Sequence, residues 1–392
     1  MKRELILTIC LAAGMGLCAQ SQSVSDILES IEENNKELQA SSHLSEAQKL
    51  ANAAGNNLPD PSVSYAYQYG KPGELGKTGE LVVSQGFDFP TLYGTRNKLN
   101  SLKAQALDRQ YAIMRRDILL EAKELCLDVI YLNRQEELLE QLLENAEGMA
   151  GLYEQRLATG DANILEANNA KMQLMKARAD LAANRTSRLN LLQSLAAMNG
   201  NEPVELDGTA YPPMEKPGTL EEVKQRVLPA DLLLAAMESE AEAARQQIAL
   251  DKSGWLPSIE VGYRRNTGVG EQFNGFIIGG SLPLFSNRHK VKAAKAQALS
   301  TSLQEDNARL EAEAAVTALY HEAVAIRLTM DAYDVPLIRE NCRLLGKALQ
   351  EQEISTEEYL TQMNASIQAE LEYIQLENQY QKAVSRLFKN EL

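Results

Sequence analysis

Apolar and polar residues alternate one by one along two short stretches of the chain, residues 61–69 and 257–264. Successive side chains of a β-strand point to opposite faces of a sheet, so this period of two predicts strands with one apolar and one polar face. A glycine-rich turn and a second apolar stretch follow each time, which predicts β-hairpins at about 61–89 and 257–284. The predicted apolar face contains Val63, Tyr65, Tyr67, Ile259, Val261 and Tyr263.

The rest of the chain has a helical period. Apolar residues recur at steps of three and four, the rhythm of coiled-coil helices, at Leu107, Tyr111, Met114, Ile118, Ala122, Leu125, Val129 and Leu132. No proline occurs between Pro90 and Pro203, so a helix over about 96–158 would measure about 95 Å. A turn at Gly160 and a returning helix are expected to follow.

Both patterns occur twice. The sequence at 61–67 reappears at 257–263, 196 residues later. Self-similarity over half the chain predicts a duplicated structural unit. We expect two repeats, 20–210 and 211–392, which form one intertwined body and each have the order helix, hairpin, long helix, turn, helix. The predicted fold class is mainly α with a small antiparallel β part.

Capping motifs mark the start of each repeat. Ser23 with Asp26, and Thr219 with Glu222, place a hydroxyl and an acid at the spacing that satisfies the free N–H groups of a helix start. A helix of about 30 residues is expected after each motif, by the spacing to the glycines that precede the hairpins.

The N-terminal residues have the pattern of an export signal, and the composition limits the partners. Two basic residues precede an apolar stretch at 5–17 that is too short to span a bilayer, so residues 1–19 are expected to be a signal peptide. Leu17 is not the small residue that normally precedes a lipidated cysteine, which disfavours a lipid anchor on Cys18. The formal net charge of −15 leaves no basic surface for phosphates, so no nucleic-acid partner is expected.

Catalytic or metal-binding chemistry is not visible in the pattern of residues. The three histidines, His43, His289 and His321, are far apart and lack the spacing of metal ligands. Met172 and Met175 are expected to fill the core. We therefore predict no enzymatic activity, no cofactor and no metal site.

The two cysteines after the signal are expected to be free thiols. The repeat offset is 192 residues in the long helices, where Lys103 corresponds to Lys295. By this offset Cys342 falls 24 residues from Cys126 along an equivalent helix, a rise of roughly 36 Å. A disulfide needs Cα atoms within about 7 Å.

The apolar faces of the four strands need either a second protein layer or lipid. The chain after the signal has no apolar run of 18 residues, so the sequence predicts no transmembrane helix. Strands span membranes only as closed barrels, which begin at about eight strands, so four strands would require at least two chains. The alternative is that the hairpins pack on the helices of a soluble protein.

The chain after the signal resembles the TolC family of outer-membrane efflux channels. The resemblance is carried by the duplication, by Leu-Pro before each hairpin and by Phe87-Asp88-Phe89-Pro90 and Leu282-Pro283-Leu284-Phe285 after them. It is also carried by the motif Tyr153-x-x-Arg156-Leu157-x-x-Gly160 at the first helical turn. The resemblance implies a homotrimer with a 12-stranded barrel in outer-membrane lipid and a long periplasmic helical barrel. A periplasmic adaptor protein and, indirectly, an inner-membrane pump are the implied partners.

The resemblance also implies functional positions at the two helical turns. The implied adaptor-docking tip contains Arg156, Leu157, Gly160, Asp161, Gln352, Glu353 and Ser355. Gly160 has an equally good structural explanation as a left-handed turn residue, and Gln352 in place of glycine puts in doubt whether both turns dock alike. Glu358 matches an acidic ring at the periplasmic aperture, whereas Glu353 and Glu357 are expected to be solvated residues at a helix start.

These observations predict a passive outer-membrane channel of a tripartite efflux system. The six apolar strand positions would then face lipid. A channel for type I protein secretion is the alternative within transport. A non-conducting periplasmic coiled-coil scaffold is the alternative from another class.

Overall fold

The computed structural model describes residues 22–69, 77–268 and 272–392. The predicted signal peptide, Cys18 and parts of both glycine-rich turns lie outside these ranges. The helices are α1 (Val24–Asn34), α2 (Lys36–Ala54), α3 (Pro90–Thr159), α4 (Ile164–Met198), α5 (Leu220–Val227), α6 (Leu232–Ser253), α7 (Lys290–Met330), α8 (Val335–Gln350) and α9 (Thr356–Leu387). The strands are β1 (Ser62–Tyr69), β2 (Lys77–Phe87), β3 (Ser258–Thr267) and β4 (Gln272–Ser281).

The capping motifs predicted at the two repeat starts are confirmed. The N–H of Ser23 donates to the Asp26 carboxylate at 3.1 Å, and the N–H of Asp26 donates to the Ser23 hydroxyl at 3.2 Å. Thr219 and Glu222 repeat this arrangement at 2.8 and 3.3 Å. Each reciprocal pair satisfies two N–H groups that the helix leaves free.

The prediction of one helix of about 30 residues after each cap is wrong, because each is divided in two. The first division is at Asn35, whose side chain accepts hydrogen bonds from Glu37 and Leu38 at 3.0 Å and so starts α2. In the second repeat Asp231 accepts from two N–H groups of α6 at 2.8 and 3.1 Å. Short polar side chains compete with helical backbone bonds in this way, which a period of apolar residues does not reveal.

The long helix of the first repeat is confirmed, but its counterpart in the second repeat is interrupted. Helix α3 runs without a break over 70 residues, whereas α7 ends at Met330 and α8 begins at Val335. Pro336 lies in the first turn of α8. Proline has no N–H and its ring clashes with the carbonyl four residues earlier, so the helix cannot continue through this point. Across the described ranges, every helix is too short or too polar to cross a membrane.

The strands form a single antiparallel sheet with the order β1-β2-β3-β4. Both predicted hairpins are confirmed, and the pairing of β2 with β3 joins them, from Phe87 opposite Ile259 to Gly79 opposite Thr267. Strands β1 and β4 are therefore the outer strands. Within the described chain their outer edges have no partner strand.

The chain divides into two compact units, and each contains segments of both sequence halves. The turn unit comprises residues up to Glu33, Leu125–Pro213 and Val335–Gln375; the sheet unit comprises Asn34–Glu124, Met214–Asp334 and Leu376–Leu392. A core cluster of the turn unit contains Leu138, Ile367 and Ile374. A core cluster of the sheet unit contains Val223, Val227, Val316 and Leu387. The core cluster of the turn unit thus combines helices of both repeats, whereas that of the sheet unit is formed by α5, α7 and α9 of the second repeat.

Candidate functional site

The sheet unit has an apolar face that its own chain leaves exposed. The register places Val83 between Val63 and Tyr263, and Tyr263 opposite Phe276, so one apolar row crosses all four strands. All six predicted positions lie on this face and are exposed: Val63, Tyr65, Tyr67, Ile259, Val261 and Tyr263. Soluble monomers rarely expose so continuous an apolar patch. The face therefore requires a partner or an apolar phase.

The opposite face of the sheet is mostly polar, with Val82, Phe273 and Ile277 as exceptions, and its polar side chains bond to one another. Arg264 forms an ion pair with Glu80 at 2.5 Å between β3 and β2. Two serine pairs join neighbouring strands through their hydroxyls, Ser62 with Ser84 at 2.7 Å and Ser258 with Ser281 at 2.8 Å. The alternation in the sequence thus becomes two chemically distinct faces.

The two helix-to-helix turns of the turn unit share one backbone conformation. Gly160 and Gln352 both have a left-handed backbone, with φ of 85° and 57°. The residue after each one donates its N–H to the carbonyl five positions earlier, at 2.8 Å in the first turn and 2.9 Å in the second. This is the Schellman closure of a helix C-terminus, and its residues obey the 192-residue offset. With Gln352 in place of glycine, the second turn has a less favourable backbone energy but keeps the same backbone hydrogen bonds.

Three side chains near the first turn form what we call the tip cluster: Tyr153, Arg156 and Glu357. The Tyr153 hydroxyl donates to one carboxylate oxygen of Glu357 at 2.6 Å. Arg156 donates to the other oxygen at 2.9 Å and lies 5.4 Å from the centre of the Tyr153 ring. The cluster connects the end of α3 in the first repeat with the start of α9 in the second.

Charge and hydrogen bonding in the tip cluster change the acidity of two groups. The hydrogen bond from Tyr153, together with Arg156, lowers the pKa of Glu357 below its ordinary value. The same hydrogen bond raises the pKa of Tyr153, because losing the proton would place an anion beside the carboxylate. Both side chains are near solvent, so these bonds contribute modestly to stability.

The second turn has no copy of the tip cluster. By the 192-residue offset, Tyr153 corresponds to Leu345, Arg156 to Ala348, and Glu357 to Leu165. The side chains of Leu345, Ala348 and Leu165 are not ionisable. The two turns therefore have the same backbone bonds but different side-chain chemistry.

Helix α4 in the turn unit has two stripes at heptad spacing. One packs inside the unit through Ala167, Ala170, Leu181 and Leu195, which are buried. The second stripe, which we call the α4 seam, is exposed at every position and is apolar except at Asn168 and Thr186. Its members are Leu165, Asn168, Met172, Met175, Ala179, Ala182, Thr186 and Leu189. These residues are spaced alternately by three and four positions. This is the spacing of residues through which one helix packs against another in a coiled coil.

The α4 seam corrects the expectation for Met172 and Met175. Both were predicted to fill the core, but their side chains are 56% and 62% exposed in the single chain. Sequence shows that a stripe is apolar but not which of two stripes faces α3. The packed stripe is identified by contacts such as the hydrogen bond from the Asn184 amide to the Leu132 carbonyl at 3.3 Å.

No protein-family model matches the chain. The outer membrane protein TolC of Vibrio cholerae serotype O1 is 23% identical over 322 residues, which is 75% of this chain and 72% of that protein. A membrane protein from Pseudomonas aeruginosa superposes with a TM-score of 0.75 at 18% identity, over 94% of this chain and 90% of its own. The CmeC outer membrane channel of Campylobacter jejuni has a TM-score of 0.75 at 14% identity, over 94% and 85%.

The chain has a TolC-like fold. The predicted resemblance and fold class are confirmed by this likeness. The mainly helical chain with four antiparallel strands matches these structures over nearly its whole length.

Within the TolC-like fold, the residues of the predicted docking tip lie at the two turns. Arg156 joins the tip cluster, Leu157 accepts from the Gly160 N–H at 3.3 Å, and Asp161 accepts from the Thr159 hydroxyl at 2.7 Å. At the second turn, Glu353 closes the Schellman bond, and the Ser355 hydroxyl accepts from the Glu358 N–H at 3.1 Å to cap α9. Their role in docking stays a prediction.

Glu357 was missed as a site residue. It was predicted to be a solvated acid at a helix start, but it is bonded to two side chains of α3. Glu358, the predicted aperture residue, is exposed and accepts a hydrogen bond from the Gln362 amide at 3.1 Å. The motif Tyr153-x-x-Arg156 could have indicated an acidic partner, but no sequence pattern specified which glutamate.

Cys126 and Cys342, the two cysteines of the described residues, carry free thiols, as predicted. Cys126 is buried in the turn unit, and burial raises the pKa of its thiol to about 12, which makes it unreactive. Within the described residues, no group of three or more His, Cys, Asp and Glu side chains is arranged to hold a metal ion.

The turn geometry predicts opposite effects of two substitutions. Gly160→Ala places a Cβ in a left-handed backbone, which costs about 1 kcal/mol, whereas Gln352→Gly removes a similar cost. Amide hydrogen exchange in the last turn of α3 should become several-fold faster in the first variant, and that in the last turn of α8 several-fold slower in the second. Equal exchange in each variant and the wild type would contradict a strained Gln352.

The tip cluster predicts a pH dependence. Because the folded pKa of Glu357 lies below its ordinary value of 4.5, the cluster stabilises the tip above that pH and loses this contribution as pH falls through the folded pKa. Tyr153→Phe removes the main cause of the shift, so the Glu357 midpoint should rise when followed by carbon NMR of labelled carboxylates. Tyr359→Phe, a nearby change outside the cluster, is the control. An unchanged midpoint in Tyr153→Phe would show that the hydrogen bond does not form in solution.

Proposed function

We propose that this protein is the outer-membrane channel of a tripartite efflux system. Three copies form a 12-stranded barrel in the membrane, with the helices in the periplasm. The channel conducts small molecules or ions passively, and an inner-membrane pump supplies the energy through a periplasmic adaptor. The TolC-like fold, shared with outer membrane channels, supports this function.

The observation that carries the proposal is the exposed apolar face on a sheet with two open edges. In hydrocarbon an unpaired backbone N–H or C=O costs several kcal/mol, so the edges of β1 and β4 must be paired by other strands. Four strands are too few for a barrel, since the smallest single-chain barrels have about eight. Additional copies of the chain provide the missing strands, and the apolar face then contacts lipid.

The α4 seam supports self-assembly through the helices as well. A heptad stripe that is exposed in one chain needs a second helix to cover it. A neighbouring copy supplies such a helix without any further partner. The two turns, with their shared backbone, then form the end that contacts the adaptor, and the tip cluster marks the first turn as chemically distinct from the second.

The function is tested by recording current through planar lipid bilayers that contain the purified full-length protein. Wild-type protein should form trimers and give discrete conductance steps. Met172→Glu buries a charge in the seam and should prevent both, whereas Gln173→Glu adds the same charge beside the seam and should prevent neither. Absence of current from trimeric wild-type protein would overturn the channel and favour the non-conducting scaffold. Neighbouring genes that encode a protein-exporting pump would favour the type I secretion channel.

The proposed aperture predicts a change in ion selectivity. Three copies of Glu358 form a ring of negative charge, which attracts cations most strongly when salt screening is weak. Glu358→Ala should alter conductance or lower cation selectivity at low salt, with little effect at high salt. Glu353→Ala is the matched control, because this glutamate is also exposed near the same turn. Unchanged selectivity in Glu358→Ala would leave Glu358 as a helix-start residue only.

A further inference from the structure

The apolar face of the sheet changes its chemistry along the strands. Alternate residues of β3 on this face are Val261, Tyr263 and then Arg265. On β2, the residue of the same face farthest from α3 is Lys77, which lies opposite Tyr69. Both cations lie toward the strand ends that do not connect to helices, because β3 follows α6 and β2 leads into α3. The face thus has an apolar part beside the helices and, at the other end, a basic margin formed by Lys77 and Arg265.

Charge is sorted between the two faces of the sheet. Within the described strands, Lys77 and Arg265 are the charged residues of the apolar face, and both are cations. The acids of the described strands, Glu80 and Glu260, lie on the polar face, where Glu80 pairs with Arg264. Acids outnumber basic residues in the chain by 54 to 39. A face with cations and no acid is therefore a clear departure from the chain as a whole.

The basic margin has no counter-ion among the described residues. Across the strands, Arg265 lies between Leu81 and Asn274, and Lys77 lies beside Tyr69. None of these neighbours is a carboxylate. Both cationic side chains are exposed, so their donors are open to a partner outside the chain. A guanidinium presents its donors in a planar fork that matches the oxygens of a carboxylate or a phosphate.

Tyrosines accompany the basic margin. Tyr65, Tyr67 and Tyr69 lie on the same face in β1, and Tyr69 is 80% exposed. The ring centres of Tyr67 and Tyr69 are 6.3 Å apart. Tyrosine is enriched where a membrane meets water, because its ring is apolar and its hydroxyl is polar. The change from apolar to basic residues thus occurs beside the residue type that is typical of the headgroup level of a membrane.

We propose that the basic margin binds the anionic phosphate groups of lipid headgroups in the leaflet away from the helices. This inference rests on the proposed function, in which the apolar face contacts lipid. Arg265 lies two residues beyond Tyr263, about 7 Å farther along the strand, so it follows the hydrocarbon layer directly. Its fork donates to two phosphate oxygens, and Lys77 pairs with a phosphate as a point charge. Each copy in the barrel adds the same two cations.

The test is native mass spectrometry of the purified full-length protein. It is released from detergent micelles that contain equal amounts of phosphatidylglycerol and phosphatidylcholine with the same acyl chains. Wild-type protein should retain phosphatidylglycerol preferentially, and less so at higher ammonium acetate concentration because salt screens the charges. Arg265→Gln should weaken phosphatidylglycerol binding about fivefold, the effect of one cation near a lipid surface. Arg264→Gln is the matched control: it removes the same charge from the adjacent residue, which lies on the polar face, and should leave the preference unchanged.

Two further variants and one further measurement complete the test. Lys77→Gln should also weaken the preference, whereas Arg265→Lys keeps the charge and should retain most of it. Equal retention of both lipids by the wild type, or equal loss in Arg264→Gln and Arg265→Gln, would overturn the lipid site. Bilayer current from the same preparations separates this result from the proposed function. Wild-type protein that conducts but retains both lipids equally would refute the basic margin alone. Wild-type protein that prefers phosphatidylglycerol but does not conduct would support the basic margin and refute the channel.

Discussion

The pairing of β2 with β3 is the contact on which the sheet depends. It joins strands that are about 180 residues apart in sequence, with Phe87 opposite Ile259 and Val83 opposite Tyr263. A shift of one residue in this register would turn the apolar side chains of one hairpin to the polar face of the other. The register thus makes one continuous apolar face out of two hairpins that are each too small to be stable alone.

The two repeats have the same backbone conformation at their helical turns but different side chains there. Both turns close with the same Schellman bonds, although one has Gly160 and the other Gln352. Backbone geometry is set by helix ends that obey the same offset, so it survives the loss of glycine at a modest energetic cost. Side chains have no such constraint, and only the first turn has a cluster of an aromatic, a cation and an acid. Duplication thus preserved the scaffold and allowed the two turns to diverge in binding chemistry.

Charge is also distributed unequally along a chain with a net charge of −15. The chain that follows each hairpin is basic, with Arg96 and Lys98 in one repeat and Arg288 and Lys290 in the other. In the second repeat this basic segment coincides with an uncapped helix start and a buried amide without an acceptor. The same offset positions therefore lie in a helix interior in one repeat and at a helix start in the other.

The sequence by itself determined the strands, the long helix α3, the caps and the repeat, because these depend on local periodicity, on proline placement and on short-range hydrogen bonds. It also predicted that six apolar strand residues share a face, since alternation within a strand is local. Tertiary structure alone decided which stripe of α4 is packed and which is exposed, as at Met172. It alone brought Glu357 to Tyr153, across 204 residues of sequence. Contacts of this kind depend on how distant helices align, and a one-dimensional pattern carries no information on that alignment.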